Sequence, residues 1–158
     1  RVGDYTRAAL ESCRRIACGL SPLDVGATLP QALEAMVARL DGGTAAIRLA
    51  LDAHAHDVDT PGFVAEQLLR ICQEALANAL RHSGAQNIDV RLQRTEQGVT
   101  LTVRDDGRGF NTSAVRLGLG LRTLRLRADE IGAVLTVDAA PGNGVCVECR
   151  YLRAAAVA

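Results

Sequence analysis

The sequence predicts an α/β (α+β) two-layer sandwich, with one mixed, mostly antiparallel sheet carrying helices on a single face. Three observations lead there. Stretches of helical periodicity alternate with strand-like runs, several of them in consecutive pairs. The strand runs alternate apolar with polar residues, as strands with one covered face do. The helical stretches carry their apolar residues on one stripe, so each has one face to bury.

Residues from about Asp4 to Gly19 follow a helical pattern, with Leu10, Cys13, Ile16 and Ala17 on one stripe. Gly19 is a C-cap, and Ser21-Pro22 breaks the helix. A second helix starts at Pro30 and ends before Gly42-Gly43, with Leu33, Val37 and Leu40 inward. Ala45 to Leu51 reads as a short strand and Asp52 to Gly62 as a polar loop. Within that loop Asp59-Thr60-Pro61 offers a capping side chain and a first-turn proline. The long helix that follows runs to about His82, with Gly84 as its stop. Its core stripe is Val64, Leu68, Ile71, Cys72, Ala75, Leu76 and Ala79. Two strands come next, Ile88-Val90-Leu92 inward and Val99-Leu101-Val103 inward, turning near Gln97-Gly98. A helix from Leu121 to Ile131, closed by Gly132, precedes strands over about Ala133 to Asp138 and Val145 to Leu152. Pro141-Gly142-Asn143-Gly144 separates those two.

At 158 residues the chain is one domain with a helical appendage, divided at 1–41 and 42–158. With two Phe, two Tyr and no Trp, the core has to be aliphatic. Eighteen basic against 18 acidic residues give no field to attract nucleic acid or an anionic membrane. No apolar run approaches the roughly 20 residues of a membrane span, and no signal peptide is recognisable. The chain opens on Arg1 and is expected to be part of a longer protein. Lysine is absent, which excludes the phosphate-loop nucleotidases and eukaryotic-type protein kinases, both of which need one. Any phosphate here is gripped by arginine, backbone amides and a metal. Cys146 and Cys149 have zinc-knuckle spacing but sit three apart on a strand, on opposite faces. With Cys13, Cys18 and Cys72 they read as reduced, structural thiols of a cytoplasmic chain, which leaves open a membrane-anchored parent.

Three segments carry the chemistry. Asp105 continues the inward series Val99, Leu101, Val103, so its carboxylate points into the apolar layer while Asp106 faces out. Such a carboxylate needs a hydrogen-bond partner, and an exocyclic amine such as that of adenine serves. Gly107 and Gly109 let the chain turn sharply there. On the long helix, Glu74, Asn78 and Arg81 fall on one strip bordering the core stripe, with His82 beside them. An amide oxygen is a hard-cation ligand, and magnesium takes one or two protein ligands plus phosphates and waters. Gly118-Leu119-Gly120-Leu121 opens a helix, whose free amides and positive end attract an anion. Taken singly, these also read as an aspartate-capped turn, a solvated helix face and a helix start.

Taken in order, they resemble the ATP-binding domain of sensor histidine kinases, chaperone and topoisomerase ATPases and mismatch-repair ATPases. Ile71 to His82 is similar to the N box of the nitrate-sensor-like branch of bacterial histidine kinases. Asp105 to Phe110 resembles its first glycine box and Gly118 to Leu121 its second. Cys18-Gly19-Leu20-Ser21-Pro22 and the helix from Pro30 resemble the segment leaving that branch's dimerisation helices. Residues 1–41 are then a remnant of the dimerisation region and connector, and 42–158 the catalytic domain. The resemblance implies that Asn78 binds Mg2+, Glu74 orients water or metal, and Asp105 reads the adenine amine of ATP. It implies that Gly107, Gly109, Phe110, Gly118, Leu119, Gly120 and Leu121 shape the nucleotide pocket, with Arg81 and His82 near phosphate or ribose. Leu119 stands where the family often has His, and Val145 where it often has Thr. A short lid spans about Asn111 to Leu117.

The implied function is transfer of the ATP γ-phosphoryl to a histidine on the dimerisation domain of the same protein, then to a response regulator. The full-length protein would be a homodimer. His56-Asp57 copies an acceptor pair but lies in the polar loop, so the acceptor is expected upstream. A related ATPase, an anti-sigma-type serine kinase, or a module that binds ATP without catalysis are the alternatives.

Overall fold

The computed structural model describes residues 27–40, 42–55, 60–111 and 118–153. The expected first helix, His56-Asp57 and the lid beyond Asn111 lie outside them. The elements are α1 (Leu29–Leu40), β1 (Ala46–Leu51), α2 (Gly62–Asn78), β2 (Asn87–Thr95), β3 (Gly98–Asp105), α3 (Leu119–Glu130), β4 (Val134–Ala139) and β5 (Val145–Leu152). One five-stranded sheet has the order β1-β2-β3-β5-β4. The β1–β2 pair is parallel and the other three are antiparallel, as the mixed sheet required.

Strand alternation sets which face is covered. Ile88, Val90 and Leu92 of β2 are fully buried, and Val99, Leu101 and Val103 of β3 nearly so. Val147 and Cys149 of β5 join them. Against this face lies α2, burying the whole expected stripe: Val64, Leu68, Ile71, Cys72, Ala75, Leu76 and Ala79. Each large aliphatic side chain so buried contributes on the order of 1.5–3 kcal/mol. The other sheet face is polar, with Asp89, Arg91 and Arg104 exposed on its central strands. No helix among the described residues is long and apolar enough to cross a membrane.

Four local expectations need correction. In α1 the buried positions are Leu29, Pro30, Leu33 and Met36, whereas Val37 and Leu40 are only half-buried. The helix is rolled so that the Leu29–Leu33–Met36 stripe faces the core. Pro61 is the N-cap of α2, with no side-chain cap bond; the Thr60 hydroxyl is buried without a hydrogen-bond partner among the described residues. Helix α3 starts at Leu119, inside the second glycine box, two residues earlier than the periodicity implied. Finally, α2 does not stay α-helical to His82: from Ala79 to Ser83 it widens into a π turn, ending on Gly84 in the left-handed region at φ 64°.

Candidate functional site

Helices α2 and α3 run antiparallel across the sheet. Arg127 of α3 donates to the side-chain oxygen of Gln67 on α2 at 3.0 Å, where the end of one meets the start of the other. At the opposite end, Gly120 rests against Glu74 and Asn78. A Cβ at Gly120 would stand 2.7 Å from Glu74 Oε1 and 3.0 and 3.1 Å from the Asn78 amide atoms. A side chain there would move the ends of Glu74 and Asn78, two groups of the candidate site.

Between that junction and the sheet opens a cavity of about 610 Å3. The space suits a ligand of nucleotide size. Every candidate residue except Gly107 lines it: Glu74, Asn78, Arg81, His82, Asp105, Gly109, Phe110, Gly118, Leu119, Gly120 and Leu121. Gly107 lies just behind, packed on Ser83, and its amide donates to Asp105 Oδ1 at 2.9 Å. Sequence reasoning missed part of the wall: Val103 and Val147 from the sheet, Ala75 and Ala79 from α2, Ser83, and Thr123 from α3. The inward parity of Val103 and the stripe positions of Ala75 and Ala79 marked them as core, yet nothing local distinguished core from cavity wall.

The site is polar at its rim and apolar at its floor. Asp105, at 5% exposure, ends the central strand, opposite Ile88 on β2 and Val145 on β5. Arg81 and His82, on the π turn that follows Asn78, are exposed and both line the cavity. The N-cap of α3 is Gly118, which has no side chain to cap the first-turn amides, an arrangement in which an anion can take that role. Leu119 is 81% exposed at the cavity mouth, an apolar residue where an anion would otherwise find a donor. Gly118 has open space around it and ordinary φ, so neither conformation nor packing demands glycine there.

The first glycine box is held from both sides. Gly109, at φ 59°, lies against the carbonyls of Ala140 and Gly144, and the Gly142 amide donates to the Arg108 carbonyl at 2.7 Å. The β4–β5 turn thus supports the loop that ends in Phe110.

The described cysteines, Cys72, Cys146 and Cys149, do not line the cavity. Burial pushes the Cys72 thiol up to about 12 and the Cys149 thiol up to about 11, so both stay protonated at neutral pH. Cys146 and Cys149 point to opposite faces of β5, and no group of side chains among the described residues could hold a metal through three His, Cys, Asp or Glu.

Comparison with known proteins matches residues 63–155 to the family described as histidine kinase-, DNA gyrase B-, and HSP90-like ATPase. The sensor protein VraS of Staphylococcus epidermidis is 36% identical over 95 residues, covering 60% of this chain and 27% of that protein. VraS of Staphylococcus saprophyticus is 35% identical over 99 residues, covering 60% and 28%. The chain therefore spans little more than a quarter of the length of these relatives. Among solved structures, the histidine kinase domain of the Erythrobacter litoralis EL346 blue-light activated histidine kinase superposes with TM-score 0.66 at 21% identity. It covers 92% of this chain and 78% of that one. The Acinetobacter baumannii histidine kinase AdeS gives TM-score 0.60 at 20% identity, covering 91% and 77%. At such identities the structures speak to the fold.

Proposed function

The chain belongs to the histidine kinase-, DNA gyrase B- and HSP90-like ATPase family as a sensor histidine kinase ATP-binding domain, and from that premise we propose how its residues serve phosphoryl transfer. ATP enters the cavity with its adenine against the Asp105 carboxylate and the apolar floor of Val103, Val145 and Val147. Its phosphates lie toward Asn78, Arg81, His82 and the first-turn amides of α3. The observation that carries this reading is one cavity lined together by a buried carboxylate, an amide, two basic side chains and a helix start whose N-cap is glycine.

Asn78 offers its side-chain oxygen to Mg2+, which when bound supplies charge neutralisation on the phosphates. Glu74, whose carboxylate lies beside Gly120, orients water or metal next to Asn78. The γ-phosphoryl passes to a histidine on the dimerisation domain of the parent homodimer, and from there to a response regulator. Little covalent chemistry is asked of this domain: its contribution is positioning and electrostatics.

The chain alone should therefore not label itself. Incubated with radiolabelled Mg-ATP it should give no acid-labile, base-stable protein phosphate, and label should appear on an added domain carrying the helical acceptor histidine. Stoichiometric labelling of the lone chain, lost on changing His56 or His82, would overturn the assignment. Steady phosphate release with no label on the acceptor would move the reading to ATP hydrolysis.

Asn78→Ala tests the metal role. Because the amide acts through the cation, ATP affinity should fall about tenfold in magnesium and less than about twofold in chelator. Equal losses in both titrations would reduce Asn78 to a structural residue.

A further inference from the structure

Two side chains next to the boxes tie the segment that leaves α2 to the one that leaves β3. Ser83 closes the π turn: its hydroxyl donates to the Ala79 carbonyl at 2.6 Å and accepts the Ala85 amide at 2.9 Å. Its own carbonyl accepts the Arg108 amide at 2.9 Å. Its Cβ fills the space a side chain at Gly107 would need, at 2.5 Å from where that Cβ would be. Asp106 reaches back the other way. Its Oδ1 accepts the amides of Gln86 at 2.8 Å and Asn87 at 3.0 Å, and Oδ2 accepts Asn87 Nδ2 at 2.7 Å. The Asp106 amide returns a bond to the Asn87 carbonyl at 3.2 Å. The residues leaving α2 and those leaving β3 are thereby laced along both sides.

We infer that Ser83 and Asp106 are positioning residues, which set the separation between the Asp105 end of the cavity and the Asn78–Arg81–His82 end. The inference rests on the reading of this cavity as an ATP site. A π turn is a rare, weaker form of helix, used in single turns and held by its surroundings. Here the surroundings are Ser83 and the strand start that Asp106 pins. Released, the segment relaxes toward α geometry and Arg81 and His82 rotate away together, while Asp105 stays on its strand. The backbone amide and side chain of Asn87 hold the Asp106 carboxyl below its ordinary range, so at neutral pH it is ionised and accepts only.

A ligand that spans both ends feels this separation, and one that fills the adenine end feels it less. Ser83→Ala and Asp106→Ala should each lose ATP affinity by roughly tenfold, the factor one net hydrogen bond is worth. Adenosine affinity, followed by NMR titration, should fall by a clearly smaller factor than ATP affinity, because Asp105 stays on β3 while the segment after Asn78 moves. Asp106→Asn keeps an oxygen for the Gln86 and Asn87 amides and should restore ATP affinity to within about threefold. Should Asp106→Ala fail to fold in a thermal melt, Ser83→Ala carries the same comparison. Equal losses of ATP and adenosine, or unchanged ATP affinity in both alanine variants, would overturn the positioning role and leave the ATP reading standing. A parent chain that binds neither ligand would overturn the ATP reading and this inference with it.

Discussion

Asp105→Ala is expected to lower ATP affinity by about two orders of magnitude, the worth of a buried charge-assisted hydrogen bond and its specificity. The carboxylate sits 5% exposed at the end of the central strand, and among the described residues Glu74 is the one other carboxylate that lines the cavity. The fold should survive. The mutation removes one acceptor, that of the Gly107 amide, costing about 1 kcal/mol, and relieves the burial of a charge. Calorimetric titration with ATP, paired with a thermal melt, separates binding from stability. Affinity within about twofold of the parent would mean that the adenine lies elsewhere. A variant that no longer melts cooperatively would assign Asp105 to the fold.

The second large effect falls on Gly109. An alanine there meets two obstacles at once. Its φ of 59° is a left-handed conformation costing roughly 1–2 kcal/mol for a residue with a Cβ. That Cβ would also run into the Ala140 carbonyl, a backbone atom that cannot swing aside like a side chain. Gly109→Ala should therefore cost about 2–4 kcal/mol in denaturant unfolding, within the range expected of backbone strain plus steric displacement. It should also abolish ATP binding, since the loop to Phe110 has to leave the β4–β5 turn. Gly62→Ala is the contrast: the first residue of α2 has open space around it and no positive φ, so it should be neutral or slightly stabilising. If the two alanine variants behaved alike, the account of the first glycine box would be wrong.

What the sequence made legible was whatever repeats at short range. Period-two alternation placed Ile88, Val90, Leu92, Val99, Leu101 and Val103 inside, and the same parity carried Asp105 into the cavity. The helical stripe of α2 was read correctly because it is long and unambiguous. In α1, Leu29, Leu33, Met36, Val37 and Leu40 supply two overlapping stripes, and only packing on β1 and α2 chooses between them. The π turn was not read from Ala79 to Ser83: the Ser83 hydroxyl that closes it is local, but Arg108 and Gly107, which hold Ser83 from outside, lie more than twenty residues downstream. Asp106 was legible as outward-facing. Its bonds to Gln86 and Asn87 were not, since they depend on strand pairing. Gly120 was read as part of an anion-attracting helix start, and the structure adds its neighbours, the ends of Glu74 and Asn78.

A π turn accommodates one residue more than the α turn it replaces, so Ala79–Ser83 amounts to a single-residue insertion kept at the end of α2. Deleting one residue there would let the helix close into its locally preferred form. The chain beyond would then enter β2 one position out of step. A one-residue slip turns a strand over, placing Asp89 and Arg91 toward α2 and Ile88, Val90 and Leu92 toward water. The length of chain between Asn78 and Ile88 is thus under a heritable constraint that the hairpin tip at Glu96-Gln97 escapes, where added residues alter neither register nor site. Insertions and deletions among descendants of this sequence should accumulate at that tip and spare the turn after Asn78.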